Sequence, residues 1–329
     1  MIKNAQIQGR TVPVEFGHVK EAPKMQYVRL GNTGLKVSRL ILGTATYGSK
    51  TDVAWRVEEE EALKHLKRGW ELGFNTFDTS NFYCNGVSEE ILGKFLQTVP
   101  RENVVVMTKS YFPVGDSSKA GPAGLTLSGG NNRKHIFDNV KNALKRLQTD
   151  YIDVLFLHRF DYETPIEETM QALHDVFHAM QNYAISNKLT RFIVCQNFYN
   201  LLYREEEREM MPLLKHLGVG STPWSPMAKG HLTRPLSKAY ETNSDAYHDE
   251  AILGVEWEKE INHRVAEIAE QRELPMANIA LAWVLHKDCV AAPIVGISKI
   301  ERFEDTIAAL DVELTEEEIK YLEEPYQPA

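Results

Sequence analysis

The 329-residue chain has only three cysteines, Cys84, Cys195 and Cys289, odd in number and far apart. That pattern supports neither a disulfide framework nor a zinc site and implies a reducing compartment. No apolar run approaches the ~20 residues that cross a bilayer. Residues 1–24 are polar with scattered valine and proline and lack a secretory apolar core, so a loosely attached tail and a cytoplasmic location are expected. Basic residues are in deficit: 37 Lys and Arg against 46 Asp and Glu leave a net charge of −9. Such a surface disfavours nucleic acid and anionic membranes as partners. There is no close internal repeat, no low-complexity segment, and no Gly-x-Gly-x-x-Gly after any apolar run. The last absence removes support for a Rossmann-type phosphate loop.

What the chain does contain is alternation. Residues 25–40 hold two short alternating runs around Gly31-Asn32-Thr33-Gly34, a hairpin signal with glycine at the turn. Strand-like runs follow at 39–43, 74–78, 104–109, 152–157, 191–196, 220–224 and 291–295. Helical periodicity occupies the intervals, at 58–72, 88–96, 133–147, 166–184, 203–217, 257–272, 276–286, 300–310 and 315–323. Pro165 opens one helix where its missing N–H costs little, and Thr315 is placed to cap the last. Repeated β-then-α units without a composition break predict one α/β domain over residues 25–329. With no Rossmann loop, a closed (β/α)8 TIM-type barrel is favoured over an open sheet.

Three apolar runs end on a chemically active polar residue: Asp78, Lys109 and His158; Tyr83 follows the first in a loop. Each alone is more often a solvated loop residue or a structural histidine. Together they fit the C-terminal mouth of a barrel, where an acid, an ammonium, an imidazole and a phenol can protonate a carbonyl oxygen.

The segment from Gly73 through Asp78-Thr79-Ser80-Asn81-Phe82-Tyr83, continued by Asn85-Gly86-Val87-Ser88-Glu89-Glu90-Ile91-Leu92-Gly93, resembles the first signature of the aldo-keto reductases. Thr108-Lys109, Tyr151-Ile152-Asp153, Leu157-His158, Gln196-Asn197, Trp224-Ser225-Pro226 and Ala292-Pro293-Ile294-Val295-Gly296 continue the likeness in order. It is closest to fungal-type aryl-alcohol dehydrogenase-like members. The resemblance implies an NADPH-dependent oxidoreductase reducing an aldehyde or ketone, aryl or secondary-metabolite in kind, to an alcohol. It assigns Tyr83 as proton donor, Lys109 as the cation lowering its pKa, Asp78 as the lysine's counter-charge and His158 as the group orienting the carbonyl. It places Trp224 against the nicotinamide, Gln196 on the carboxamide, and Ser225, Met227 and Lys229 near the pyrophosphate. Gly296, Ser298, Lys299 and Arg302 lie between the final strand and the next helix, where a helix start with adjacent cations suits phosphate and Lys299 and Arg302 would neutralise the 2′-phosphate; the resemblance puts Glu304 and Asp305 near the adenine, and Asp305 stands where asparagine is expected. Loops 111–132, made pliable by Gly121, Gly124, Gly129 and Gly130, and 227–254 would shape the substrate pocket.

One element of that pattern is missing. Relatives carry a Gly-x-Ser-Asn-like strand and part of two helices between the His and Gln strands. Here Leu173-His174-Asp175-Val176 runs almost directly into His178-Ala179-Met180-Gln181-Asn182-Tyr183. The front of one helix is joined to the back of the next at residues 176–178, with on the order of 20 residues gone from a barrel of ~250. Two further readings therefore stay open: a noncatalytic NADPH-binding regulatory barrel, and an inactive truncated paralogue.

Overall fold

The computed structural model describes residues 3–7, 10–14, 25–50, 55–115, 129–177, 192–236 and 254–328. Within the stretch read as a tail, β1 (Lys3–Ile7) pairs antiparallel with β2 (Arg10–Val14). The hairpin expected over 25–40 forms from β3 (Tyr27–Arg29) and β4 (Lys36–Ser38). Parallel strands follow: β5 (Ile41–Gly43), β6 (Thr76–Asp78), β7 (Val105–Ser110), β8 (Val154–Leu157), β9 (Val194–Cys195), β10 (Gly220–Ser221) and β11 (Ile294–Gly296).

Strands β5 to β8 pair in chain order, β11 pairs with β5, and β9 pairs with β10. Parallel bridges from Ser221 to Val290 and from Trp224 to Ile294 join the β10 segment to the β11 segment. The order β9-β10-β11-β5-β6-β7-β8 is that of a barrel wall whose ends are β8 and β9. Among the described residues, β8 and β9 do not pair.

The two-residue period of a strand sorts the core. Leu42, Phe77, Val106 and Val295 face outward and pack with Leu66, Phe95, Leu147 and Phe303 of the surrounding helices. Their sequence neighbours Ile41, Val105, Met107 and Ile294 face inward with Val154, Leu30 and Val37. The last two come from the β3–β4 hairpin, which therefore plugs the N-terminal end of the barrel and leaves the C-terminal end for polar groups.

The helices are α1 (Glu59–Glu71), α2 (Val87–Leu96), α3 (Arg133–Leu147), α4 (Ile166–Phe177), α5 (Met210–Leu217), α6 (Glu256–Gln271), α7 (Met276–His286), α8 (Arg302–Ala308) and α9 (Glu316–Glu323). Helix α3 starts where the Asn132 side chain accepts the His135 N–H at 2.9 Å and buries Ile136, Ala143 and Leu147. Helix α9 has the Thr315 cap, reciprocated by Glu318 at 2.7 Å. The single helix expected over 203–217 is instead a 3-10 turn, Glu205–Glu207, followed by α5. Pro212 explains the break: without an N–H it is tolerated only in a first turn, which α5 supplies by starting at Met210.

Strands β8 and β9 are mostly half-buried, whereas β7 is buried throughout. Sixteen residues lie between Phe177 and Val194. A further strand and helix with their connections need roughly 20 or more. Most of the helix expected to run on to 184, with the far side of the 176–178 junction, lies outside the described residues.

The hairpin plug generates a paired prediction. Gly31 has φ +56°, and a Cβ there would meet Gly220 N at 2.6 Å and Ile193 O at 2.7 Å, the entrances to β10 and β9; at Gly34 a Cβ meets nothing within 4 Å. Gly31→Ala is expected to cost about 2 kcal/mol or more in urea unfolding, and Gly34→Ala to change stability by less than about 1 kcal/mol.

Candidate active site

Asp78 closes β6, Lys109 is the penultimate residue of β7, and His158 directly follows β8. Adjacent parallel strands thus deliver all three to one mouth. Tyr83 opens a 3-10 turn in which Cys84 and Asn85 have φ of +48° and +52°, followed by Gly86 at +95°. This left-handed run carries the chain from the mouth into α2. Cys84 is buried there, and Arg56 Nη1 donates to its sulfur at 2.8 Å.

Lys109 and Asp78 are each only 2% exposed. The ammonium has three N–H donors, and three acceptors surround it: Asp78 Oδ1 at 2.6 Å, Thr79 O at 2.8 Å and Tyr83 OH at 3.1 Å. Because the phenol oxygen accepts from Lys109, the phenol's own proton must point elsewhere, free to be donated. Burial, the largest single influence, pulls Lys109 down, but the Asp78 charge, Tyr83 and the hydrogen bonds to both together outweigh it and hold the ammonium above its ordinary value. The expected lowering of the tyrosine is not found. Burial pushes Tyr83 up, Lys109 pulls it down, and Asp78 pushes it up again, leaving a net rise. The carboxylate that holds the lysine also cancels much of its field at the phenol.

The second oxygen of Asp78 is taken by Gln196 Nε2 at 2.9 Å. Gln196, read from the sequence as a carboxamide ligand, is here a member of the Asp78–Lys109 network. Sequence reasoning did not find that contact, nor Thr79 and Ser80, which lie between the expected residues. It also passed over Glu89, a fully buried carboxylate that accepts from Thr108 Oγ1 at 2.6 Å and Arg146 Nε at 2.7 Å and ties α2 to β7 and α3. Burial pushes the Glu89 carboxyl up.

His158 is half-buried, with Nδ1 at 3.2 Å from Ser80 Oγ. Its ring lies edge-on to Tyr83, with centroids 6.1 Å apart, and to Phe112 at 5.1 Å. Phe112 also packs on Phe82 at 4.6 Å and Tyr111 at 5.0 Å, so aromatic rings border the tetrad. Phe82 is half exposed. Burial, with Lys109 and Arg159 nearby, lowers His158 to about 3. It is therefore a neutral imidazole at ordinary pH.

The other sequence candidates cluster on the β9–β11 side. Trp224 is half-buried and packs on Phe198 at 4.5 Å. Ser225 and Lys229 have φ of +56° and +55°, and Met227 leads into that turn and packs on the neighbouring core. Gly296, the last residue of β11, and Ser298, Lys299, Arg302 and Asp305 beyond it are exposed. Glu304 is ion-paired to Arg68 of α1, so its carboxylate already has a partner. Loop 111–132 is described only to 115 and from 129, which leaves Gly121 and Gly124 outside; loop 227–254 is described to 236 and at 254.

A linkage consequence follows for His158. Its folded pKa of about 3 lies below its ordinary 6.5, so between these values the unfolded chain binds more protons. Stability from this group is present above the unfolded value and is lost as pH falls toward the folded one; His65 and His135, also lowered by burial, act in the same sense. Denaturant unfolding from about pH 7 to about pH 5 is expected to show falling stability. His158→Asn should make that slope shallower by up to about 1.4 kcal/mol per pH unit, and an unchanged slope would contradict the environment described.

The Aldo/keto reductase family matches residues 39–327 of this chain. The chain is 42% identical to "Putative aryl-alcohol dehydrogenase AAD16" of Saccharomyces cerevisiae over 337 residues, covering 92% of this chain and 98% of the relative. It is 45% identical to "Putative aryl-alcohol dehydrogenase C977.14c" of Schizosaccharomyces pombe over 340 residues, covering 92% and 96%. It is 41% identical to the versiconal hemiacetal acetate reductase of Aspergillus parasiticus over 338 residues, covering 92% and 98%. Each aligned length exceeds the chain's own 329 residues, so the relatives carry positions that have no counterpart here. The family fold is the (β/α)8 barrel, whose strand order the parallel wall follows; the match across nearly the whole α/β domain establishes that the chain belongs to the aldo/keto reductase family, oxidoreductases of carbonyl compounds.

Proposed function

We propose that the protein is an NADPH-dependent reductase that converts an aryl aldehyde or ketone to its alcohol, with Asp78, Tyr83, Lys109 and His158 as the reacting set. The observation that carries this reading is the convergence of Lys109 Nζ on Asp78, Thr79 O and the Tyr83 hydroxyl, beside His158. NADPH, when bound, supplies the hydride that reduces the carbonyl carbon. Tyr83 supplies the proton to the carbonyl oxygen, and Lys109 stabilises the phenolate left behind. His158, being neutral, orients the carbonyl by donating one N–H. The raised phenol makes Tyr83 a poor acid in isolation, so proton donation depends on the negative charge that develops on the oxygen during reduction.

The residues present fit such a cofactor. Exposed Lys299 and Arg302 offer cations for a 2′-phosphate, favouring NADPH over NADH, and Ser298 and Gly296 flank them. Trp224 offers an aromatic face, the Ser225–Met227–Lys229 turn a backbone approach to the pyrophosphate, and Gln196 a carboxamide. With Glu304 engaged by Arg68, an adenine contact falls to Asp305 or requires that pair to open. The Phe82–Phe112 pair beside the tetrad supports a flat aromatic substrate, in keeping with the names of the relatives.

A second reading has one observation behind it. The lack of β8–β9 pairing among the described residues, with relatives that carry positions lacking a counterpart here, supports the absence of one β/α unit. Its loss would remove part of the nicotinamide's surroundings and leave a barrel that binds NADPH without turnover, or an inactive truncated paralogue. Steady-state loss of NADPH absorbance with a panel of aryl aldehydes tests these readings. Turnover that falls by roughly 100-fold or more in Tyr83→Phe, at unchanged NADPH affinity, is the expected result. Binding with no turnover would favour the regulatory barrel, and neither binding nor a cooperative thermal transition the truncated paralogue.

A further inference from the structure

Ser80 is fully buried between Asp78 and Tyr83 and has no part in the proton transfer proposed above. Its Oγ lies 3.2 Å from His158 Nδ1, accepts the Phe82 N–H at 3.2 Å, and stands 3.3 Å from Asn81 Oδ1. Asn81 Nδ2 donates to Phe112 O at 2.7 Å, which turns its Oδ1 toward the serine. A hydroxyl has one proton, and a neutral imidazole has one N–H. Two arrangements satisfy these contacts. In one, Ser80 donates to Nδ1 and the ring proton sits on Nε2. In the other, Nδ1–H donates to Ser80, the serine proton turns to Asn81, and Nε2 is a bare lone pair.

Only the first arrangement leaves an N–H on the ring edge away from Ser80. Imidazole nitrogen is a far stronger base than a carboxamide oxygen, so the serine proton prefers His158 to Asn81. The Phe82 N–H, by donating into Oγ, polarises the hydroxyl and strengthens it as a donor. We propose that Ser80 is a positioning residue that donates to His158 Nδ1, holds the imidazole as the Nε2–H tautomer, and so presents that N–H to the substrate carbonyl. The consequence for catalysis rests on the reductase reading; the tautomer assignment stands without it.

The test joins two measurements. The 15N spectrum of His158 in the full-length protein, compared with Ser80→Ala, reads the tautomer, and steady-state kinetics of the same proteins read catalysis. The expected result is Nε2–H in the unsubstituted protein and a shift toward Nδ1–H in Ser80→Ala. The kcat should fall on the order of tenfold while KM and NADPH affinity stay within about twofold. Ser80→Cys, similar in size but a weaker donor, should give an intermediate spectrum and rate, and carries the test if the alanine variant does not fold. An unsubstituted protein in the Nδ1–H form, or an active enzyme whose tautomer and kcat are unmoved by both substitutions, overturns the proposal. A tautomer shift in a protein that reduces no carbonyl supports the role of Ser80 and removes the reductase reading instead.

Discussion

Lys109 and Asp78 lie 2.6 Å apart at the barrel mouth, both withdrawn from water. Burying two charges costs several kcal/mol per ion, and the cost is offset only where geometry is good and the remaining donors are satisfied. Here every ammonium proton has an acceptor and both Asp78 oxygens are engaged, the second by Gln196. The pair therefore holds three structural pieces in register: the end of β6, the end of β7 and the segment after β9. It also fixes which way the Tyr83 hydroxyl can point. The phenol, raised first by burial, feels the two members of the pair in opposite senses, Lys109 lowering it and Asp78 raising it.

Much of this was legible because an acid, an ammonium and an imidazole end separate apolar runs of one alternating chain, a conjunction that points to a site although each residue alone does not. Asp78, Lys109 and His158 each close a run whose alternation places them at one mouth, and the structure brings them there. The β3–β4 hairpin and the Thr315 cap were equally readable, since turn and cap residues act locally. What escaped depends on tertiary proximity. Gln196 meets Asp78 across 118 positions of chain, and no spacing rule reaches that far. Pro212 was in plain view, but the helical periodicity around it hid the break. The rise of the Tyr83 pKa was missed for a different reason: its largest cause is burial of the phenol, which depends on tertiary packing and cannot be read from the neighbouring charges.

The barrel wall is the other constraint. Seven parallel strands run in unbroken order from β9 round to β8 among the described residues, and the two ends are the less buried ones. The catalytic candidates belong to the ends of β6 to β8, whereas Gln196 and Trp224 stand on the β9–β11 side of the wall.

The most direct test of the account is a double-mutant cycle on the buried pair, with Asp78→Asn, Lys109→Met and their combination followed by urea unfolding. Each single change should destabilise by about 3 kcal/mol or more, because it strands a polar or charged partner, and the double variant should lose less than the sum. Additive losses, or single variants as stable as the parent, would contradict the claim that this ion pair organises the site.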